Sequence, residues 1–384
     1  MTTPIPARRR RFALISAVLI VAVVELASYA AARILAARAL IYTPPPLDEI
    51  DDYIARRDPE LGWLAIIDAS QAAEVDAAGA RRSTAFPQPA ASCVSLYGDS
   101  FVWSDEVGPE QAWSEVLARS LGCRVANYGV NGYGSDQAFM RFEGQVADES
   151  EVVVLAHLSE NVLRNVNRFR RLIYPSAKYT LKPRYVLEDG TLTRVAMPLP
   201  DHEELAALVT SPAAHLDHEF FAPGGASGMQ TLSFPYTVAL ARTLSHYHLR
   251  ARLAGVPRYA ELYEPDHPSG ALALTTAIFV EFERTARARG KVPVSVILSS
   301  RESLEHYEVS GRHFHQPLID SLRASGVDVL DAAGPMLEVM GNSGESVADV
   351  FAVNHLNERG AAVLAGVVEA ELVARELSPG ATRD

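Results

Sequence analysis

The sequence predicts an α/β fold in which helices cover both faces of a central parallel sheet. Short apolar runs recur along the chain and are typical of strands, and helical patterns separate them. The run at residues 152–156 is apolar at every position, as strands buried on both faces are. Strands that alternate with helices form βαβ units, and βαβ units build parallel sheets. A long apolar N-terminal helix and a central insertion are predicted in addition to this sheet.

The predicted elements fall into two groups, one on each side of the insertion. Strands are predicted at residues 93–97, 123–128, 152–156, 292–298 and 327–330. Helices are predicted at residues 109–121, 136–146, 160–171, 316–324 and 357–377. The first of these helices has Pro109 in its first turn and Gly122 after its last residue, which is the usual pattern at helix ends.

The insertion covers about residues 172–275 of a catalytic domain predicted at residues 91–380. Apolar and β-branched residues at 185–187 and 192–195 flank Asp189-Gly190, a dipeptide typical of a two-residue hairpin turn. Insertions in α/β folds usually lie at the carboxyl edge of the sheet, where ligands bind. The insertion is therefore interpreted as a cap that shapes the substrate site, with a purely structural elaboration as the alternative.

The first forty residues indicate a membrane anchor. Four consecutive arginines occupy residues 8–11, and residues 12–32 are apolar except for Ser16, Glu25, Ser28 and Tyr29. A helix of this length crosses a hydrocarbon core of about 30 Å. Because basic residues are denser before the span than after it, the N-terminus is expected in the cytoplasm. The prediction is a single-pass inner-membrane protein whose body lies on the periplasmic or extracellular side.

In that prediction, residues 1–11 are a cytoplasmic tail and residues 12–36 are a transmembrane anchor. Residues 37–90 are a linker and an irregular N-terminal extension. A cleaved signal peptide is the alternative to the anchor.

The composition excludes some classes of partner. The chain of 384 residues has a formal net charge of -12, which argues against nucleic acid because phosphate binding relies on clustered Lys and Arg. The histidine pairs 246/248 and 313/315 have the wrong spacing for one helical face, and no nearby cysteine completes a site. No metal and no cofactor are therefore expected. Protein partners are left open.

A serine follows the first predicted strand. Gly98-Asp99-Ser100 forms a turn there, which would expose the Ser100 hydroxyl at the carboxyl edge of the sheet. Backbone N–H groups of the next helix would favour a developing oxyanion.

Three later segments add groups that suit acyl transfer. Residues 127–134 end the second strand with a glycine-rich turn, and the third strand continues into Ser159-Glu160-Asn161. His355 precedes the last helix. A nucleophile, amide donors and a base are therefore present in chain order.

With these residues the sequence resembles the SGNH (GDSL-like) hydrolases, in particular their membrane-anchored bacterial members. The first family block is matched by residues 98–100, the second by residues 127–132 and the last by residues 355–360. The resemblance covers about residues 90–171 and 290–375. It implies a flavodoxin-like three-layer sandwich with strand order 2-1-3-4-5.

The resemblance also implies the roles of site residues. Ser100 would be the nucleophile and His355 its base. The oxyanion hole would be formed by the N–H groups of Ser100 and Gly132 together with an asparagine side chain. Asn161 is the candidate asparagine, at a shifted position relative to the family block, and Ser159 is the alternative.

The sequence departs from the family pattern beside the histidine. The family usually has Asp three residues before it, whereas this chain has Ala352. His355 could act in a dyad, be held by a backbone carbonyl, or use Asp349 or Asp331 as its orienting carboxylate.

The family fold also makes the strands that begin at Cys93 and Cys123 neighbours. Adjacent strands lie about 4.8 Å apart, which is within reach of a disulfide. The resemblance therefore implies a disulfide between the two cysteines of this chain, with two buried free cysteines as the alternative.

The function expected from these features is that of a serine esterase. It would cleave an ester of an envelope carbohydrate or lipid through a Ser-His acyl-enzyme mechanism. Two alternatives remain open: an O-acyltransferase that acts on an extracellular polysaccharide, and a catalytically inactive anchored scaffold that binds glycans.

Overall fold

The computed structural model describes residues 7–38, 40–64, 74–87, 91–175, 177, 180–225 and 227–377. Some predicted segments lie partly outside these residues. They are residues 1–6 of the predicted cytoplasmic tail, residues 39, 65–73 and 88–90 of the predicted linker and extension, residues 176, 178, 179 and 226 of the insertion, and residues 378–380 of the predicted catalytic domain.

The described residues contain one five-stranded sheet and one hairpin. The strands are β1 (Ser92–Tyr97), β2 (Arg124–Asn127), β3 (Val152–Leu158), β4 (Arg184–Glu188), β5 (Thr191–Val195), β6 (Val292–Leu298) and β7 (Val329–Asp331). The sheet has the order β2-β1-β3-β6-β7, and every neighbouring pair in it is parallel. This confirms the predicted α/β class and the flavodoxin-like strand order.

The helices follow the strands along the chain. Before residue 220 the chain contains α1 (Ala7–Ala37), α2 (Ile50–Arg56), α3 (Ser100–Trp103), α4 (Trp113–Leu121), α5 (Ser135–Gly144), α6 (Asn161–Asn165), α7 (His202–Thr210) and α8 (Pro212–His215). After residue 220 it contains α9 (Tyr236–Leu244), α10 (Tyr247–Ala254), α11 (Ala271–Ala288), α12 (Arg301–Ser310), α13 (Gln316–Ala324), α14 (Ala333–Ser343), α15 (Val347–Val350) and α16 (Glu358–Ala374).

Alternate strand residues pack against helices on opposite faces of the sheet, as the two-residue period of a strand requires. Val154 and Ala156 of β3 belong to an apolar cluster that also contains residues of α4 and α16. His157 of the same strand lies 6.0 Å, ring to ring, from Phe279 of α11. On that second face Tyr97 of β1 contacts Phe142 of α5. The sheet is therefore the middle of three layers.

A disulfide bond joins β1 to the residue before β2. Ser92 pairs with Arg124 in the parallel ladder, which brings the neighbouring Cys93 and Cys123 together. Their sulfur atoms are bonded, with the Cα atoms 6.1 Å apart.

The predicted hairpin is confirmed, with one residue more at each end of its first strand. β4 and β5 pair antiparallel and are joined by Asp189 and Gly190, whose φ angles are 48° and 78°. Positive φ at both turn positions matches the twist of a two-residue hairpin.

The helix predicted at residues 160–171 is wrong in length, since α6 ends at Asn165. Side chains take the carbonyl groups that a longer helix would use. The Lys182 ammonium donates to the carbonyl oxygens of Arg164 at 3.1 Å and Asn167 at 3.2 Å. The Arg184 guanidinium donates to the carbonyl oxygen of Val166 at 2.9 Å. These donors come from the segment around β4, so the end of the helix is set by tertiary contacts.

The chain forms two compact units. The larger comprises Asp52–Arg168, Thr180–Leu199 and Tyr259–Asp384, and it contains the sheet and the hairpin. The smaller comprises Met1–Asp51, Phe169–Tyr179 and Pro200–Arg258. The residues predicted as one insertion are thus shared between the two units.

The smaller unit contains the apolar helix α1. Within its segment Arg11–Ala37, an 18-residue stretch has a mean hydropathy of 2.3, and only 6% of that stretch is buried. The helix is long and apolar enough to cross a membrane. In the same unit the Tyr42 hydroxyl donates to the carbonyl oxygen of Val209, and the Tyr42 backbone N–H donates to the carbonyl oxygen of Gln230.

Candidate functional site

Ser100 lies at the carboxyl edge of the sheet, as the first residue of α3. β1 ends at Tyr97, and Asp99 caps the short helix by accepting the Phe101 N–H at 2.9 Å. α3 stops after four residues because Ser104 adopts a left-handed conformation with φ 65°. The sequence therefore forms the tight strand-to-helix turn that it predicts.

The segment after β2 packs directly on this turn. A Cβ atom at Gly129 would lie 2.4 Å from the Trp103 backbone nitrogen, so no larger residue fits there. The Asn127 side chain donates to the Val102 carbonyl oxygen at 2.7 Å and accepts the Gly129 N–H at 3.0 Å. These contacts fix the glycine-rich segment against the backbone beside Ser100.

His355 reaches Ser100 from a short loop between α15 and α16. The loop is closed by a bridge between Phe351 and Leu356, and the ring of His355 lies 5.0 Å from that of Phe101. The His355 Nε2 atom lies 2.8 Å from the Ser100 Oγ atom.

Glu106 lies on the other side of the imidazole. Its Oε1 atom is 3.2 Å from the His355 Nδ1 atom. Its Oε2 atom accepts backbone N–H groups of the same loop, from Val353 at 2.9 Å, Asn354 at 3.2 Å and His355 at 3.3 Å. Partial burial acts to raise the pKa of Glu106, but the bonds from His355 and the three N–H groups lower it below its usual range. Glu106 is therefore a carboxylate at neutral pH.

The charge of Glu106 determines the direction of both imidazole hydrogen bonds. A carboxylate only accepts, so the His355 Nδ1–H donates to it. In the neutral ring the Nε2 atom is then unprotonated and accepts the Ser100 hydroxyl proton. A serine, an imidazole and a carboxylate in this order can deprotonate the hydroxyl as it attacks a carbonyl carbon.

The two aspartates offered for the orienting role make other contacts. Asp331 accepts hydrogen bonds from His313 at 2.8 Å and His315 at 3.4 Å. Asp349 caps α15 through the Ser346 N–H and hydroxyl. Glu106 was not singled out from the sequence, where it is the second of two acidic residues closely following Ser100.

Asn161 is fully buried at the start of α6. Its Oδ1 atom accepts a hydrogen bond from Arg164 at 2.9 Å. Its Nδ2 atom is buried and has no hydrogen-bond partner among the described residues. A buried amide nitrogen without a partner is costly unless a ligand uses it.

Arg164 connects Asn161 to the serine turn. The guanidinium nitrogen that bonds Asn161 also lies 2.9 Å from Asp99 Oδ2 and 3.0 Å from the Tyr133 carbonyl oxygen. Arg164 is only 6% exposed. It fixes the orientation of the Asn161 amide relative to the residue before Ser100.

Gly132 and Ser159 complete the predicted set. Gly132 has φ 83° in the turn after β2, and the neighbouring Asn131 side chain donates to Asp105 at 2.8 Å. The Ser159 hydroxyl is engaged elsewhere: it accepts the Ser300 N–H at 3.2 Å and pairs with the Tyr259 hydroxyl. Asn161 rather than Ser159 thus has the free donor.

One cluster among the described residues has the composition of a metal site. Ligand atoms of His313, His315 and Asp331 lie within 4.8 Å of one another. Burial acts to raise the pKa of Asp331, but the two imidazoles hold it well below its usual range. Both carboxylate oxygens and both Nε2 atoms are paired within the cluster, whereas the Nδ1 atoms of His313 and His315 are buried with no hydrogen-bond partner among the described residues.

Comparisons with known proteins give distant structural similarity. No family model and no curated protein sequence matches the chain. A lipolytic protein of the G-D-S-L family from Veillonella parvula is similar at 12% identity and a TM-score of 0.34, over 73% of this chain and 98% of that one. A G-D-S-L family protein from Desulfitobacterium hafniense is similar at 10% identity and a TM-score of 0.31, over 72% and 97%. A protein from Lactobacillus plantarum is similar at 12% identity and a TM-score of 0.36, over 75% and 99%.

Proposed function

We propose that this protein is a serine hydrolase of the SGNH (GDSL-like) type with Ser100, His355 and Glu106 as its triad. More particularly, it is a membrane-anchored esterase that cleaves an ester of an envelope carbohydrate or lipid. The observation that carries the proposal is the continuous pair of hydrogen bonds from Ser100 Oγ through the imidazole to Glu106, at 2.8 Å and 3.2 Å.

In the first half of the reaction His355 Nε2 removes the Ser100 hydroxyl proton while Oγ bonds to the ester carbonyl carbon. The negative charge that develops on the carbonyl oxygen is met by the N–H groups of Ser100 and Gly132 and by the Asn161 side-chain amide. The imidazolium then gives its proton to the departing alcohol oxygen, and the carbon–oxygen bond of the ester breaks. The product is an acyl-enzyme.

In the second half a water molecule takes the place of the alcohol. His355 accepts one water proton as the hydroxide oxygen attacks the acyl carbon. The collapse of the second tetrahedral intermediate returns that proton to Ser100 Oγ and releases the acid. Glu106 keeps its charge throughout and stabilises the imidazolium, as carboxylates do in other triads.

The apolar N-terminal helix supports the proposed class of substrate. α1 is apolar over Arg11–Ala37 and follows a run of arginines, which fits a single-pass anchor with the larger unit on the outer side of the membrane. An esterase held there meets the acylated carbohydrates and lipids of the envelope.

The test is ester turnover by the full chain in detergent, together with labelling by a fluorophosphonate probe. Wild-type protein should be labelled on Ser100 and should hydrolyse short acyl esters. Ser100→Ala should lose both properties. Ser325→Ala is the matched control, because the exposed Ser325 hydroxyl bonds only the Ser321 carbonyl oxygen of its own helix turn.

A second assay adds a glycan, acetylated or free, as acceptor to the reaction with the ester. The products then distinguish hydrolysis of the ester from transfer of its acyl group to the glycan. Free acid as the main product supports the esterase, whereas an acylated acceptor would assign the enzyme to the transferases. A wild-type protein that neither reacts with the probe nor turns over any ester would overturn the proposal and leave an inactive scaffold.

A further inference from the structure

The apolar span of α1 contains one carboxylate, and a second helix of the smaller unit binds it. Glu25 Oε2 accepts the backbone N–H of Tyr236 at 2.6 Å and that of Thr237 at 3.4 Å. These are N–H groups of the first turn of α9, which helical bonding leaves unpaired and where the helix dipole favours negative charge.

Two side-chain contacts extend this pairing along α1. The Ser28 and Thr237 hydroxyls lie 3.1 Å apart, and the rings of Tyr29 and Tyr236 are 4.9 Å apart. α9 is therefore docked on α1 by three successive polar or aromatic contacts. All of them lie inside the span Arg11–Ala37.

Their position in the span has a geometric consequence. Glu25 lies twelve residues before Ala37, which corresponds to about 18 Å along a helix. The hydrocarbon core is about 30 Å thick. If α1 crosses the membrane with this span centred in it, the N-terminus of α9 lies near the middle of the hydrocarbon core.

The region around α9 and α10 exposes large apolar side chains. Phe234 is 72% exposed and Leu253 is 80% exposed, and Val238 and Leu244 are about half exposed. Phe234, Val238 and Leu244 lie in or next to α9, which is docked to α1, and Leu253 lies in the following helix, α10. Exposed apolar residues next to a membrane span fit lipid better than water.

The charge of the same region is opposite to that of the whole chain. Residues 220–260 contain four arginines and neither Asp nor Glu, in a chain with 47 acidic residues. The arginines are Arg242, Arg250, Arg252 and Arg258. Basic residues beside apolar ones are attracted to anionic lipid headgroups.

We propose that α9 and α10 form a membrane-docking surface that inserts its exposed apolar side chains into the outer leaflet and binds anionic lipid headgroups through its arginines. The surface consists of residues 234–253. This inference rests on the membrane anchor of the proposed function and is independent of the esterase chemistry. The pairing of Glu25 with the N-terminus of α9 provides the carboxylate with a partner at membrane depth.

Depth-dependent fluorescence quenching in the full chain tests the proposal. The two native cysteines are joined in the disulfide, so an introduced cysteine provides the only free thiol. Phe234→Cys and Leu253→Cys are labelled with an environment-sensitive dye in vesicles of phosphatidylcholine and phosphatidylglycerol that carry nitroxide-labelled acyl chains. Val18→Cys, within the span, is the inserted reference. Val309→Cys, an 88% exposed valine of the larger unit, is the water-exposed reference.

The dyes at positions 234 and 253 should be quenched several-fold more strongly than the dye at 309 and should approach the value at 18. Quenching at 234 and 253 equal to that at 309, with 18 quenched, would overturn the docking surface and leave the anchor standing. An unquenched dye at 18 would overturn the anchor and the surface together. Ester turnover, measured on the same samples, reports separately on the proposed chemistry.

The role of the arginines is tested by lipid composition. Quenching at 253 should weaken when phosphatidylglycerol is replaced by phosphatidylcholine. Combining Arg242→Gln, Arg250→Gln and Arg252→Gln should remove this dependence on lipid charge. Equal quenching of the unsubstituted chain in both lipids would contradict the binding of anionic headgroups.

Discussion

A single carboxylate, Glu106, both orients the imidazole and holds the loop that carries it. It accepts the His355 ring N–H and three backbone N–H groups of residues 353–355. An asparagine or glutamine at position 106 could not satisfy the same donors, because its amide NH₂ group would face N–H groups of the loop. The charge of Glu106 therefore matters for the tautomer of His355 and for the position of its ring.

Glu106→Gln should lower kcat by about 10²- to 10⁴-fold with a smaller change in KM, since the carboxylate acts on the imidazolium of the transition state. Steady-state turnover of a short acyl ester measures this.

Asp105→Asn is the neighbouring control, because an asparagine there keeps an acceptor oxygen for Asn131, and it should leave kcat nearly unchanged. Ala352→Asp, added to Glu106→Gln, places a carboxylate three residues before His355 and should recover part of the loss. Wild-type kcat in Glu106→Gln would show that the imidazole needs no carboxylate.

The Asn161 amide provides the second prediction at this scale. Its buried Nδ2 has no partner among the described residues, while Arg164 holds its Oδ1. Asn161→Ala should reduce kcat by about 10²- to 10³-fold with little change in KM, the loss expected for one oxyanion-hole donor. Ser159→Ala tests the alternative donor and should lower thermal stability more than kcat, because that hydroxyl bonds Tyr259 and Ser300. The reverse pattern would assign the donor to Ser159.

The local sequence predicted Ser100 and His355 as site residues. It did not predict Glu106, whose carboxylate contacts the His355 ring. Both predicted residues lie at element ends that apolar periodicity locates. Glu106 reaches His355 only because Ser104 and Glu106 itself adopt φ angles of 65° and 68°. Neither residue is a glycine, so nothing in the residue types indicates these conformations. The acidic pair after the serine was the available signal.

At the scale of elements, the strands were predictable because both faces of a parallel sheet are buried and the sequence is apolar accordingly. The ends of helices were harder to predict from the sequence. The end of α6 depends on Lys182 and Arg184, which come from a distant segment. The long helix α11 was not predicted at all, because the boundary of the insertion was placed within it, at residue 275.

β3 carries a buried imidazole whose hydrogen bonds define one tautomer. The Tyr263 hydroxyl donates to the Ser159 carbonyl oxygen at 2.6 Å, so it accepts from His157 Nε2–H at 2.8 Å. Nδ1 is then unprotonated and accepts the Ser135 hydroxyl at 2.7 Å. Burial, with smaller effects of His315 and Arg164, lowers the pKa of His157 to about 3.

This shift predicts a loss of stability in acid. Below about pH 6.5 the unfolded chain binds a proton at His157 that the folded chain does not bind until about pH 3. The free energy of unfolding should therefore fall as the pH is lowered through this window, by about 1.4 kcal/mol per pH unit for one proton. In His157→Gln, the free energy of unfolding measured with denaturant should depend less steeply on pH, and the difference in slope should correspond to about one proton. Ser135→Ala should be less stable but keep the wild-type slope, and an unchanged slope in His157→Gln would contradict the assignment.

At the scale of the whole molecule, two features far apart in the chain favour the proposed export of the body. The arginines before α1 favour a cytoplasmic N-terminus. The Cys93–Cys123 disulfide belongs to proteins of oxidising compartments, such as the periplasm. The sequence did not predict how the insertion divides between two units, because that division depends on contacts among residues 1–51, 169–179 and 200–258.

The last prediction concerns this topology. In a Gram-negative host, a C-terminal alkaline phosphatase fusion should be active, because the proposed topology places the body outside the cytoplasm. Cys93 and Cys123 should resist alkylation in denatured, non-reduced protein.

Replacing the four arginines at residues 8–11 by Gln removes the charge bias that orients α1. In that variant a fraction of the chains should insert in reverse, with lower phosphatase activity and newly alkylated thiols, while total membrane-bound protein is unchanged. A mature N-terminus near residue 31 or 33 would identify a cleaved signal peptide and leave export standing. An inactive fusion with free thiols in the wild-type chain would place the body in the cytoplasm, because a thiol pair exposed to glutathione stays reduced there.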